Sequence, residues 1–95
     1  MIGKIRESSS GLSIFDLFDD ELYINKIIQL LKGKYEIKLS DFCGNPIFEE
    51  SQDIIINNIK INISWDHMAG CSIMALDLGG NKLIEEIADY LNTHY

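Results

Sequence analysis

The chain is poor in the residues that mark special classes of protein. It has one Pro among 95 residues, two Cys, one Trp, eight basic residues and no low-complexity tract. With Gly and Ser gathered only in the short turn "ESSSG" at 7–11, disordered tails and flexible linkers are not expected. Two cysteines, Cys43 and Cys71, are too few for the small secreted folds that depend on disulfides. Both read as reduced thiols buried for packing. No apolar run approaches the roughly 18 to 20 residues of a membrane span, and the first residues lack the basic-then-apolar order of a signal peptide. A cytoplasmic location is expected. The shortage of bases is the most informative absence. Against 15 acids they leave a net charge of −7, which argues against binding nucleic acid or an anionic membrane, since both require a basic face.

What is present fits one ordinary domain spanning 1–95, with 46% apolar and 24% charged residues and enough chain for one core without disulfide or metal. The charge is unevenly placed. Residues 1–40 carry six acids and six bases, whereas 41–95 carry nine acids (Asp41, Glu49, Glu50, Asp53, Asp66, Asp77, Glu85, Glu86, Asp89) against Lys60 and Lys82. Two segments also resemble each other, 11–35 and 70–95. With a one-residue gap, Gly11 matches Gly70, Ser13 Ser72, Ile14 Ile73, Leu17 Leu76, Ile24 Ile84, Ile27 Ile87, Leu31 Leu91 and Tyr35 Tyr95. Each copy reads as a strand followed by a helix.

In the second copy Ile84, Ile87, Ala88 and Leu91 follow the i, i+3, i+4, i+7 spacing of a buried stripe. The first carries Tyr23, Ile24, Ile27, Ile28, Leu30 and Leu31, with Asp19 and Asp20 placed to cap its start and Gly33 to end it. Between them, Ile59, Ile61, Ile63 and Trp65 alternate with Lys60, Asn62 and Ser64, the period of a strand with one buried face. Asn57-Asn58 suits a tight hairpin turn after "DIII". "YEIKLSDF" alternates through Tyr35, Ile37 and Leu39, and "CSIMALD", apolar on both faces apart from Ser72, belongs in the middle of a sheet. The predicted fold is α+β, an antiparallel sheet with two helices packed on one face.

"SWDHMAGCS" sets Asp66, His67 and Cys71 beside the only Trp, which is the composition of a catalytic or metal-binding cluster. Gly70 tolerates backbone angles that other residues do not, and "DHMAG" joins two strands, so the stretch reads as a hairpin loop. Asp66 and His67 then point to opposite sides and become surface candidates. A Cys-His nucleophile pair would also need an orienting group and an oxyanion site that nothing here specifies. "DLGGN" lacks both GxGxxG and the P-loop Lys and Ser/Thr, and its Asp would repel phosphate, so it reads as a structural turn. Glu49-Glu50 and Glu85-Glu86 have no evident apolar pocket to raise a pKa for acid-base work. No catalytic, metal or cofactor site is expected.

One feature exceeds what solubility needs. Glu85 and Asp89 are four apart on a helix, where like charges repel, and Asp89 falls toward the negative end of the helix dipole. Such acids fit a partner with a basic surface. The run "DFCGNPIFEESQDIIINNIKINISWDHMAGCSIMALDLGGNKLIEEIADYL", with its Trp-Asp, loop Gly and closing strand-helix, resembles small bacterial immunity proteins encoded beside polymorphic toxins, in particular those of contact-dependent growth inhibition systems. It covers about the second half of the chain. The resemblance implies a cytoplasmic protein that binds a cognate toxin C-terminal domain, often a nuclease, and neutralises it without turnover by blocking its active site or an adjacent surface. Nuclease domains tend to be basic where they hold a phosphate backbone. Glu49, Glu50, Asp53, Asp66, Glu85, Glu86 and Asp89 would steer association, with His67 as a further surface candidate and Trp65, Tyr90 or Phe48 as aromatic anchors. Trp65 alternates with the buried isoleucines, which places it in the core. The rival reading is a small homodimeric module that pairs exposed strand edges such as "YEIKLS".

Overall fold

The computed structural model describes residues 1–19, 22–45 and 49–95, the side chain of residue 45 excepted. In chain order the elements are β1 (Gly3–Glu7), β2 (Ser13–Leu17), α1 (Ile24–Leu31), β3 (Lys38–Asn45), β4 (Glu49–Ile56), β5 (Ile59–Asp66), β6 (Gly70–Ala75), one 3-10 turn (Leu78–Gly80) and α2 (Asn81–His94). The strands form one sheet in the order β1-β2-β6-β5-β4-β3, with every neighbouring pair antiparallel. After the β1–β2 hairpin the chain crosses through α1 to the far edge, and the β3–β6 meander walks back until β6 pairs with β2.

Alternation assigns the faces. Phe15 of β2, Ile73 of β6, Ile63 of β5 and Gln52 of β4 lie in one cross-strand row, and this face carries the core. Phe15, Ile54, Ile61, Ile63, Ile73 and Ala75 are fully buried against Ile27 and Leu31 of α1 and Ile84, Ile87 and Leu91 of α2. α1 lies over β4 and β5, and α2 over β1, β2 and β6. The α+β expectation, with both helices on one face, holds. Two asparagines about three turns apart on α2 hold the N-terminal hairpin. Asn81 accepts from the Ser13 amide and donates to the Gly11 carbonyl, while Asn92 accepts from the amides of Ile2 and Gly3.

Several boundaries differ from the sequence expectation. β1 was not foreseen, because its alternation is short and Lys4 and Arg6 flank a single Ile5. α1 begins at Ile24 with Tyr23 before it and no side-chain cap. Asp19 uses its carbonyl to accept from the Leu22 amide in a preceding turn, and Asp20 lies outside the described residues. Gly33 is not a left-handed helix terminator either. A Cβ there would meet the Tyr90 hydroxyl at 2.8 Å, so the position is small because the second helix approaches it. Tyr35 belongs to the turns that follow α1, where its amide bonds to the Leu31 carbonyl, and β3 starts only at Lys38.

Leu39, which should be buried by alternation, is 64% exposed, and Phe42, three residues on, is 56% exposed. β3 is the edge strand, and the register slips between these two residues in a β-bulge. Gln52, itself buried, turns its amide into that bulge and donates to the carbonyls of Ser40, Asp41 and Asp53 at 3.1, 3.4 and 2.8 Å. Cys43 is exposed on this strand rather than buried. It also faces the side of the sheet opposite to Cys71, with two strands between, so the folded chain cannot join them.

The two similar segments do share the strand-then-helix order, and Ile24/Ile84, Ile27/Ile87 and Leu31/Leu91 are buried alike. Their strands are not in phase. Ile14 pairs with Met74 and Phe15 with Ile73, so the matched Ile14 and Ile73 face opposite sides of the sheet, the result of a one-residue slip.

Candidate binding surface

The stretch with Asp66, His67 and Cys71 forms a hairpin. Asp66 pairs with Gly70 across a three-residue loop at 67–69, and Gly70 takes φ +79°, the left-handed position that closes such loops. One Asp66 carboxylate oxygen accepts from the amides of Met68 and Ala69 at 2.8 and 3.2 Å. Those bonds, the Met68 one first, hold its carboxyl below the usual range. Cys71 points the other way, into the core, where burial pushes its thiol up to about 12. That is the reverse of what a nucleophilic cysteine needs. His67 sits exposed in the turn. Among the described residues no group of three His, Cys, Asp or Glu side chains is placed to hold a metal, and no helix is long and apolar enough to cross a membrane. The "DLGGN" turn is the 3-10 segment, with the Asp77 carboxylate accepting from the Gly80 amide at 3.1 Å.

Trp65 lies on the helix side of β5, half-buried against the core, with its ring centroid 5.3 Å from that of Tyr23. Its indole N–H is buried with no acceptor among the described residues. Tyr90 is engaged inside the molecule. Its ring meets Tyr35 edge-on at 6.3 Å and His94 at 4.8 Å, and the Lys34 ammonium stands 5.3 Å from its centroid. Phe48 lies outside the described residues.

The acids divide into those the fold already neutralises and those it does not. The sheet face away from the helices carries a polar network. Arg6 donates to Asp16. Lys60 reaches Asp41 at 3.0 Å and Asp53 at 3.7 Å, and Asn62 donates to Ser51 and to Asp53 at 2.6 and 2.7 Å. Asp53, expected on the contact surface, is therefore part of this network. Glu49 and Asp66 stand on the same face, directly opposite each other across β4 and β5, and neither has an ion-pair partner among the described residues. Glu50 is next to them, paired in register with Trp65 on one side and Gly44 on the other. Glu85, Glu86 and Asp89 are exposed along α2 and likewise have no ion-pair partner among the described residues. Glu86 is near enough to Tyr35 to help raise its phenol, a shift caused first by burial.

No family model, curated protein or solved structure matches the chain. The surface has to be read from its own geometry. A groove of about 300 Å³ opens where the β3, β4 and β5 ends meet, lined by Cys43, Gly44, Ser51, Ser64 and the Glu49–Asp66 pair among others. Gly44 has φ +133°, and a Cβ there would come within 2.4 Å of the Glu49 carbonyl and 2.6 Å of the Glu50 Cα. Only glycine lets β3 close against β4 at this point. Of the residues expected to bind, the structure thus gathers Glu49, Glu50, Asp66 and His67 at one end of the sheet. It leaves Glu85, Glu86 and Asp89 as a second acidic strip on α2, and takes Asp53 and Tyr90 into internal contacts. A separate apolar depression of about 380 Å³ lies between the N-terminal residues, α1 and Tyr95, with Phe18 exposed at its wall; nothing in the sequence reading pointed to it.

Proposed function

We propose that the protein is an immunity protein that binds a cognate toxin C-terminal domain in the cytoplasm and neutralises it by occlusion. The target domain is a nuclease. The observation that carries the reading is the division of the acids. Asp16, Asp41 and Asp53 are matched with lysine or arginine by the fold, while Glu49, Glu50 and Asp66 at one sheet end and Glu85, Glu86 and Asp89 on α2 have no lysine or arginine within salt-bridge distance among the described residues. Unmatched acids on a domain of net charge −7 attract a basic protein surface such as a nuclease presents to a phosphate backbone, and they raise the rate of encounter. The mechanism is stoichiometric, with no turnover.

The test uses the C-terminal domain of any large secreted protein encoded beside this one. It should form a one-to-one complex with the chain and lose its toxic activity. Replacing Glu49, Glu50 and Asp66 by Gln, Gln and Asn, or Glu85, Glu86 and Asp89 likewise, should slow association at low salt in at least one case and flatten its salt dependence. Wild-type rates for both variants would remove the electrostatic basis of the reading, and absence of any complex would remove the reading itself. The homodimer rival is opposed by the bulge in β3, since bulged, irregular edges resist strand addition.

A further inference from the structure

We infer that β1 is a strap that opens and closes as a unit over the edge of β2, hinged at the turn 8–12 and latched by Asn92. The two ends of the hairpin are held in different ways. At the turn, Ser8 donates its amide to the Leu12 carbonyl, Gly11 takes φ +83°, and Asn81 bonds the Gly11 carbonyl and the Ser13 amide. None of these bonds involves β1, so they survive when it lifts. At the other end Asn92 accepts from the amides of Ile2 and Gly3 at 2.8 and 3.1 Å and donates to the Gly3 carbonyl at 3.2 Å. Those bonds break on opening.

Little else ties β1 down. Among the described residues it pairs only with β2, and of its five residues only Gly3 is buried. Glycine is there because the strand crosses the Phe15 ring, where a Cβ would come within 2.7 Å of the ring and 2.6 Å of the Asp16 carbonyl oxygen. The one buried position of β1 thus brings no side chain to the core. The Arg6–Asp16 pair adds little, since its side chains are 57% and 41% exposed. β2 is the opposite case. Four of its five residues are buried, and Phe15 and Leu17 belong to the core. The weak boundary therefore runs inside the hairpin, since elements with few buried apolar groups are the ones that open locally. Opening bares the β1-facing amides and carbonyls of β2 and one side of the Phe15 ring. It also takes Ile2 from the wall of the apolar hollow beside Phe18.

The test is native-state amide exchange on the isotope-labelled full chain. Phe18 bonds its amide to the Ile2 carbonyl, so alternation turns the amides of Ile14 and Asp16 toward β1 and that of Phe15 toward β6. A strap separates these neighbours. Lys4, Arg6, Ile14 and Asp16 should exchange together, at least about tenfold less protected than Phe15 and Ile73, and with almost no urea dependence, because little surface is exposed. Ile54→Val lies in the part that stays folded, so it should speed Phe15 and Ile73 by about threefold or more and leave the four strap amides unchanged. Asn92→Ala weakens the closed state relative to every other, so it should speed both sets alike, by about tenfold or more for the hydrogen bonds lost. Equal protection of Ile14 and Phe15, an Ile54→Val effect on the strap amides, or wild-type exchange at Lys4 and Arg6 in Asn92→Ala would each overturn the strap. The first two outcomes are read without the Asn92 variant, so they decide the matter even where that variant fails to fold.

Discussion

Gln52→Leu is the substitution that separates the architecture of the binding end from its charge. The Gln52 amide is the internal donor to the bulge carbonyls of Ser40 and Asp41, and it also bonds the Asp53 carbonyl. Of the three contacts, the 3.4 Å one to Asp41 is weak, which leaves two effective bonds at about 1 kcal/mol each. Ser40 and Asp41 lie on an edge strand where water can replace part of the loss, and leucine adds some apolar burial. The net expected cost is about 1–2 kcal/mol, which for a domain of this size lowers Tm by roughly 5–12 °C. Urea unfolding would give the change in stability, and amide hydrogen exchange would locate it. Exchange should quicken in β3 and hardly change in β2 and β6, because the opening is local. Gln52→Glu adds a check with a defined sign. Burial against three carbonyls raises the carboxyl above its unfolded value, so this variant should be weakest at neutral pH and recover as pH falls and the protonated acid donates in place of the amide. A Gln52→Leu protein within about 0.5 kcal/mol of wild type, with β3 exchange unchanged, would show that the bulge does not depend on this amide.

Three further outcomes are expected. A thiol reagent at neutral pH should modify Cys43 in the native protein and Cys71 only after unfolding, since one is exposed and the other is buried with its thiol pushed up to about 12; rapid native labelling of both would contradict the burial of Cys71. Asn58→Gly should raise stability by about 0.5 kcal/mol in chemical denaturation, because Asn57 and Asn58 both hold positive φ in the β4–β5 hairpin and Asn-Gly is the preferred pair for that turn. The amides of Met68 and Ala69 should report Asp66 protonation: its depressed folded-state pKa means that the loop is supported above the unfolded value near 4 and released as pH falls through the folded one, so loop shifts with a midpoint at or above about 4 would refute the bonds.

Most of the fold was legible because its signals are local. The alternation of Ile59, Ile61 and Ile63, the Asn57-Asn58 turn, the loop closed by Gly70 and the buried stripe of α2 each depend on a few neighbouring residues and on periods that the backbone imposes. The elements that were misplaced depend on distant partners. β1 is held by the α2 side chain of Asn92, at the other end of the chain. The Phe18 amide bonds to the Ile2 carbonyl and so extends the sheet past β2, and α1 begins only at Ile24. Leu39 continued the apolar alternation of Tyr35 and Ile37, but α1 packs over β4 and β5 and not over the edge. An alternation pattern states which residues share a face; whether anything covers that face is decided by the helix.

The same distinction governs the binding surface. Sequence identified the acids of 41–95 as an excess, but it gave them equal standing, because a charge count has no knowledge of register. Asp53 and Glu49 are four positions apart on one strand and share a face. The first lies opposite Asn62, whose amide bonds it at 2.7 Å, with Lys60 at 3.7 Å; the second lies opposite Asp66. One acid thereby becomes structural, and the other faces a like charge. Only the pairing of β4 with β5 sorts them, and that pairing is fixed by the two-residue turn at Asn57-Asn58. Lengthening that turn by one residue would slip the register, set Glu49 against a different neighbour and turn the Ile54 and Ile56 side chains away from the helices. The core burial of those isoleucines, both at most 1% exposed, is therefore what holds two like charges in opposition, and the fold can sustain that local repulsion because the core contributes several times more than one surface pair removes.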